Sequence, residues 1–247
     1  MESRPKTKNR FAFVIPVYNH ENMIGTVIKQ ALLLNYPVIV VDDGSTDRTP
    51  DILKEFDNIT VIRHKRNLGK GAALKSGFKE ASKFADWAIS VDADGQHNVN
   101  DASVLIKAAL NKGRCLVIGK REGMHQENVP WTSRFGKNFS NFWVFASGGP
   151  WLSDTQSGFR IYPLPEITHL KTVGSRYQYE VEILAKANWM SILIIEAPVS
   201  VDYMPGDKRI SHFKPFPDFM RNSWTFIRLI LQRAFIPLPL RKRIFSI

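Results

Sequence analysis

Along the first 120 or so residues, short apolar runs alternate with stretches whose apolar positions recur every three or four residues. Residues 11–17, 38–41, 59–63, 87–91 and 116–119 read as strands, and residues 21–34, 47–56, 69–83 and 101–110 as helices. The run Val38-Ile39-Val40-Val41 has no polar alternation, as expected of a strand buried on both faces. Alternation at this pitch predicts βαβ units, and hence an α/β fold with a Rossmann-like, mostly parallel sheet flanked by helices. Ligands of such sheets bind beyond the carboxyl ends of the strands. Two of the predicted strands end in acids there. Val41 leads into Asp42-Asp43 and Val91 into Asp92-Ala93-Asp94, so four carboxylates are expected on one rim.

The second half is less regular. Residues 133–146 read as an aromatic-rich helix, 154–162 as a turn and strand, 179–188 as a helix, and 192–201 as a strand interrupted by Pro198. An amphipathic helix is predicted over 217–234, ended by Pro237 and Pro239. With no repeat and no linker, the expected division is a disordered basic tail over 1–10, one domain over 11–213, and a basic amphipathic helix and tail over 214–247.

An apolar fraction of 44% and a charged fraction of 23% are ordinary for a globular chain, but the net charge of +11 is not. It calls for anionic partners: nucleic acid, an anionic lipid surface or phosphorylated substrates. The single cysteine, Cys115, excludes an internal disulfide, and no Cys/His spacing resembles a zinc site, so a cytoplasmic location is expected. No window approaches the roughly 20 apolar residues that span a bilayer. A place on the inner face of a membrane, rather than through it, fits that pattern.

Four strings carry candidate chemistry. Asp92, Asp94 and Gln96 offer hard oxygen ligands suited to Mg²⁺ or Mn²⁺, ions that bridge to substrate phosphates; a surface Asx turn is the alternative. Asp43 is placed to accept hydrogen bonds from a base or ribose, although helix capping is the better account of its string taken alone. Pro16 predicts that the chain leaves the sheet, with room for a nucleobase or simply a strand end. Asn67-Leu68-Gly69-Lys70-Gly71 opens a helix and would bring Lys70 near phosphate, without the spacing of a P-loop.

Taken in order, VIPVYN, VVDDGSTD, NLGKGAALKSGF, VDADGQH and DTQSGFRIY resemble the family-two inverting glycosyltransferases of the GT-A fold. Within them the likeness is greatest to the dolichol- and polyprenyl-phosphate sugar synthases. It runs from about residue 11 to 184 and more weakly to about 221. The resemblance implies that Pro16, Tyr18 and Asn19 line the nucleobase pocket, with Asp43 on the base or ribose and Lys70 on the donor. It assigns Asp92, Ala93, Asp94 and Gln96 to donor diphosphate and metal, with His212 a further candidate ligand. Arg121, Arg134 and Arg160 fall on the phosphate or acceptor side, and Asp154 or Glu182 is the candidate general base for a hydroxyl acceptor, with a buried structural salt bridge between Arg160 and one of these acids as the equal alternative. Lys208 and Arg209 belong to a loop that would close on the diphosphate.

The implied activity is metal-dependent transfer of a sugar from a nucleoside-diphosphate-sugar to a lipid-linked or polyprenyl-phosphate acceptor. A non-lipid hydroxyl acceptor is the alternative within the family. Nucleotidyltransfer lacks its glycine-rich, arginine-containing loop near Pro16, and a nucleic-acid-binding protein lacks any RNP, helix-turn-helix or zinc motif. The branch often carries C-terminal membrane-spanning helices. Here Phe216, Phe219, Met220, Trp224, Ile227 and Leu231 recur at near-helical spacing among Arg221, Arg228 and Arg233, followed by Arg241-Lys242-Arg243. That pattern fits an interfacial helix on anionic lipid or a helix packed on the catalytic domain. Oligomeric state is not readable.

Overall fold

The structure, a computed structural model, describes residues 10–122, 131–201 and 215–246, with side chains left out at 131–135 and 215. Among the described residues, strands β1 (Phe11–Val17), β2 (Val38–Asp42), β3 (Thr60–Arg63), β4 (Trp87–Ser90), β5 (Cys115–Arg121), β6 (Arg160–Pro163) and β7 (Leu193–Val199) form one sheet. Its order is β3-β2-β1-β4-β6-β5-β7. Only β6 runs antiparallel to its neighbours, β4 and β5. The helices are α1 (Ile24–Leu33), α2 (Thr49–Leu53), α3 (Lys70–Ala81), α4 (Ala102–Lys112), α5 (Trp131–Ala146), α6 (Gln178–Trp189), α7 (Pro215–Phe235) and α8 (Leu238–Phe245).

Every residue of β1, β2 and β4 is buried, so their apolar runs face helices on both sides. Phe11, Phe13, Ile15 and Val17 meet Ile24, Ile28 and Leu105 of α1 and α4. Ala12 and Val14 meet Leu74, Phe78 and Tyr179 of α3 and α6 on the other face. The two-residue period of a strand therefore divides one apolar run between two cores. Truncating Phe13 or Phe78 to Ala would cost about 3–5 kcal/mol.

Three local expectations change. Pro16 does not end β1: pairing with β2 continues to Val17–Asp42, while pairing with β4 stops at Val14–Ser90. The chain leaves β4 rather than the sheet, and a crevice opens between β1 and β4, where the strand order reverses. Pro198 stays inside β7, which tolerates it as an edge strand. Pro239 does not close the C-terminal helix but opens α8, since the first turn of a helix needs no N–H there. Phe245 of α8 then packs on Trp189, with ring centroids 5.6 Å apart.

The predicted helix over 47–56 shortens to α2. Asp47 Oδ1 accepts from Thr49 N–H (3.0 Å), which delays the start. Its last turn tightens into bonds from Lys54, Glu55 and Phe56 to carbonyls three residues back. Helix α7 packs on α6 through the buried Phe226 and Leu229, the former joining the same core as Leu74 and Phe78.

Candidate active site at the carboxyl edge

The crevice between β1 and β4 is where an open α/β sheet binds ligands. The loops after β1, β2 and β4 meet on its rim. Asn19, in the left-handed region at φ 51°, ties two of them: its N–H donates to Ser45 Oγ (3.0 Å) and its Oδ1 accepts from Thr46 N–H (2.8 Å). Pro16 is buried within β1 and Tyr18 is half-buried just beyond it.

Asp43 is buried and organises the loop that precedes α3. Its Oδ2 accepts from Gly69 N–H (2.7 Å), and its Oδ1 from Leu68 N–H (3.0 Å). His64 Nδ1 lies 2.7 Å from Oδ1, and its Nε2 is 2.9 Å from Ser76 Oγ. Gly69 takes φ 103°, a conformation open to glycine alone at little strain. This turn starts α3, so Asp43 sets where Lys70 stands. An open recess of about 470 Å³ lies beside Asp43, lined by Gly44, Ser45, Thr46, Arg63, His64 and Lys65. It covers the ends of β2 and β3, not Asp92.

Lys70 reaches across the crevice. Its Nζ is 2.7 Å from Asp92 Oδ1 and 2.9 Å from Glu180 Oε1 on α6. Burial opposes the charge of Lys70, but the two carboxylates outweigh it and raise the ammonium's pKa. Burial likewise opposes ionisation of Asp92, and Lys70 overcomes it, so this carboxyl titrates below its usual range. Gly158 makes the arrangement feasible: a Cβ there would lie 2.6 Å from Lys70 Nζ and nearer still to Asp92 Oδ2.

Asp94 Oδ1 accepts from Gln96 N–H (3.1 Å), which is the Asx turn considered from the sequence. Ala93 between the two acids is buried. His97 follows, buried against Phe159, with no hydrogen-bond partner for Nδ1 among the described residues. Burial, helped by Arg121 and Lys70 and opposed by Asp92, brings its pKa down to about 4, so the ring is neutral at neutral pH. Tyr177 is pushed up to about 12, by burial first and then by Asp92, Glu180 and Asp218, with Lys70 opposing.

The remaining expected residues separate. Arg121 clasps Asp154 in a bidentate pair, Nε to Oδ2 at 2.7 Å and Nη2 to Oδ1 at 2.8 Å. Burial raises the Asp154 carboxyl, but Arg121 outweighs it and keeps the group ionised. Arg160, expected on the acceptor side, is fully buried. It donates to the carbonyls of Ser157 (2.7 Å), Thr155 (2.7 Å) and Glu180 (3.0 Å), and so braces the loop beneath Gly158.

Glu182, the other candidate base, is fully buried away from Lys70. It contacts Lys186 Nζ and Arg228 Nη2, each at 2.8 Å, and accepts from Gly174 N–H (2.7 Å). The acid that reaches the crevice from α6 is Glu180. Two residues along a helix turn about 200°, so Glu180 and Glu182 face nearly opposite ways. The side chain of Arg134, and the whole of Lys208, Arg209 and His212, lie outside the described residues. No cluster of three or more His, Cys, Asp or Glu able to hold an ion occurs among the described residues. The oxygen set of Asp92, Asp94 and Gln96 still fits a hard divalent cation by its chemistry.

The profile of glycosyl transferase family 2 matches residues 12–164, which contain β2, β4, both acidic loops, Lys70 and Gly158. The chain belongs to glycosyl transferase family 2. It is 33% identical over 214 residues to the UDP-N-acetylglucosamine–dolichyl-phosphate N-acetylglucosaminyltransferase of Methanococcus voltae, covering 77% of this chain and 84% of that protein. It is 27% identical over 254 residues to the dolichyl-phosphate beta-glucosyltransferase of Mus musculus, covering 89% of this chain and 75% of that protein. These relatives place the glycosyltransferase in the dolichol-phosphate sugar synthase branch. Among solved structures, the mannosyltransferase PcManGT of Pyrobaculum calidifontis, in complex with GDP-Man and Mn²⁺, has a TM-score of 0.59. At 16% identity over 96% of this chain and 73% of that one, it shows the GT-A fold alone.

Proposed function

We propose that this glycosyltransferase moves a sugar, with inversion, from a nucleoside-diphosphate-sugar to the phosphate of a dolichol- or polyprenol-type lipid. The observation that carries the phosphate acceptor is the state of the two candidate bases. Asp154 is held by Arg121, and Glu182 by Lys186 and Arg228, with both carboxyls below their usual range. A general base is most effective when its pKa lies near the operating pH, so a carboxylate held low by a cation is a weak one. A phosphate acceptor is already anionic and needs none. The names of the Methanococcus and mouse relatives, both dolichyl-phosphate transferases, support the same acceptor.

In this reading the recess beside Asp43 takes the nucleoside, and the diphosphate lies along the crevice toward Asp92 and Asp94. A divalent cation bound by Asp92, Asp94 and Gln96 would neutralise charge developing on the leaving diphosphate. Lys70 keeps Asp92 ionised and fixed in direction beforehand, which spares reorganisation during the reaction. The acceptor oxygen attacks the anomeric carbon on the side opposite the diphosphate. Arg121, at the end of β5, borders the acceptor side, and Lys208 and Arg209 would add positive charge over the donor. Residues 11–213 carry this chemistry.

The test is a transfer assay with UDP-, GDP- and dTDP-sugars, a polyprenyl phosphate, and Mg²⁺ or Mn²⁺. The expected product is a polyprenyl-monophosphate sugar, with Asp94→Ala abolishing turnover. Full activity of Asp94→Ala with added Mn²⁺ would sink the assignment, and transfer only to a hydroxyl acceptor would move the enzyme elsewhere in the family.

A further inference from the structure

Helix α7 has two apolar faces. Thr225, Phe226 and Leu229 are buried against the body of the protein. On the other side Phe216, Met220, Trp224, Ile227, Leu231 and Phe235 are all exposed, Phe216 at 75% and Phe235 at 79%. At about 100° per residue these six fall within an arc of about 100°, nearly opposite the buried set. Among the described residues no packing requirement explains the outer stripe.

The stripe does not stand alone. Phe219 of α7 meets Phe139 of α5, with ring centroids 5.2 Å apart. Arg233 donates to the carbonyls of Phe145 (3.3 Å) and Ala146 (2.9 Å) at the end of α5. Phe142, Phe145 and Trp151, the last 69% exposed, carry the apolar surface onto that neighbour. A contiguous patch of large apolar residues marks an interaction site.

We propose that α5, α7 and Trp151 form one docking face that lies in the interface of an anionic lipid bilayer. Charge selects this occupant. Past Asp218 the chain holds no acid, only Arg221, Arg228, Arg233, Arg241, Lys242 and Arg243. Residues 131–151 have no acid either. Arg221 and Arg228 are paired with Asp218 and Glu182, and a second copy meeting this face about a two-fold axis would set the remaining cations against themselves. Anionic headgroups would instead meet the exposed Lys242 and Arg243 while the aromatics enter the acyl boundary. No helix among the described residues is long and apolar enough to cross a membrane, so the contact is with its surface.

The experiment is vesicle flotation of the full chain at about 0.1 M salt, where the Debye length is about 10 Å. Phosphatidylcholine vesicles are compared with vesicles containing phosphatidylglycerol. The wild type is expected to float with the anionic vesicles and weakly with the neutral ones. A triple variant, Trp224→Ser, Ile227→Ser and Leu231→Ser, is expected to lose about tenfold or more in partitioning while keeping its circular dichroism. Phe142→Ser with Trp151→Ser tests the α5 side by a second route and should weaken flotation too. Asp94→Ala should float like wild type, which separates docking from catalysis. Wild type that stays unbound, or a triple variant that floats equally, overturns the proposal. So does a wild-type dimer that the triple variant converts to monomer with vesicle binding unchanged.

Discussion

Replacing Lys70 by Met tests whether an ammonium holds the crevice together before any ligand arrives. Met keeps the unbranched shape and removes only the charge, leaving Asp92 and Glu180 to share one pocket. Their contacts to Nζ are 2.7 and 2.9 Å, and the three side chains are 15%, 26% and 7% exposed. Stripping one partner from a buried pair costs roughly 3–5 kcal/mol. The quarter-exposed Asp92 puts this case near the lower end, about 3 kcal/mol. In a domain of this size that corresponds to a fall in Tm of about 6–12 °C.

The pH dependence has a definite sign. The depressed Asp92 contributes stability above its unfolded value near 3.9 and loses it as pH falls through the folded value. The raised Lys70 contributes fully below its unfolded value near 10.4 and loses it as pH rises through the folded value. The gap between wild type and variant is therefore constant around neutrality and closes in strong acid. Thermal melts with and without Mn²⁺ read it directly. Mn²⁺ should raise the variant's Tm more than the wild type's, because no ammonium competes for Asp92. A metal-free variant within about 2 °C of wild type at pH 7, or an identical Mn²⁺ shift in both, refutes the reasoning.

Gly158→Ala should lower kcat about 100-fold and lower the unfolding midpoint as well, by no more than Lys70→Met does, since the new methyl displaces Asp92 and Lys70 at the reacting centre; steady-state kinetics beside a melt checks it. Glu182→Gln should instead act on stability, by roughly 3–5 kcal/mol in urea unfolding, because Lys186 and Arg228 lose their buried countercharge. Burial opposes ionisation of Glu182, but Lys186, the Gly174 N–H and Arg228 outweigh it. Wild type should thus lose stability as pH falls through the carboxylate range, and the variant should lack that component.

The sheet was readable because its signal is long and redundant. The runs 11–17 and 38–41 have one compatible period, and all their residues are buried in the sheet. Boundaries were harder wherever proline stood. A missing N–H is harmful inside a central ladder but harmless at Pro16 beyond the β4 pairing, at Pro198 on an edge strand, or at Pro239 in a first turn. Which case holds depends on the neighbouring chain, and that neighbour is remote in sequence.

The same limit explains the site. Asp43, Lys70 and Asp92 were found because each follows a strand or opens a helix at a sheet edge whose position topology determines. The acids of α6 have no such anchor. Tyr179-Glu180-Val181-Glu182 presents two carboxylates about 200° apart, and the sequence alone leaves open which one faces the crevice. The deciding partners are Lys70, more than a hundred positions earlier, and Arg228 on α7, which draws Glu182 to the opposite side. Arg160 follows the same logic. A guanidinium beside Gly158 looks like a phosphate ligand until the carbonyls of Thr155, Ser157 and Glu180 are seen to take up its donors. A charge in a motif is thus committed to function only after the nearby backbone and the opposite charges have been counted. By that count Lys70, Asp92 and Glu180 are the group in this crevice to perturb first.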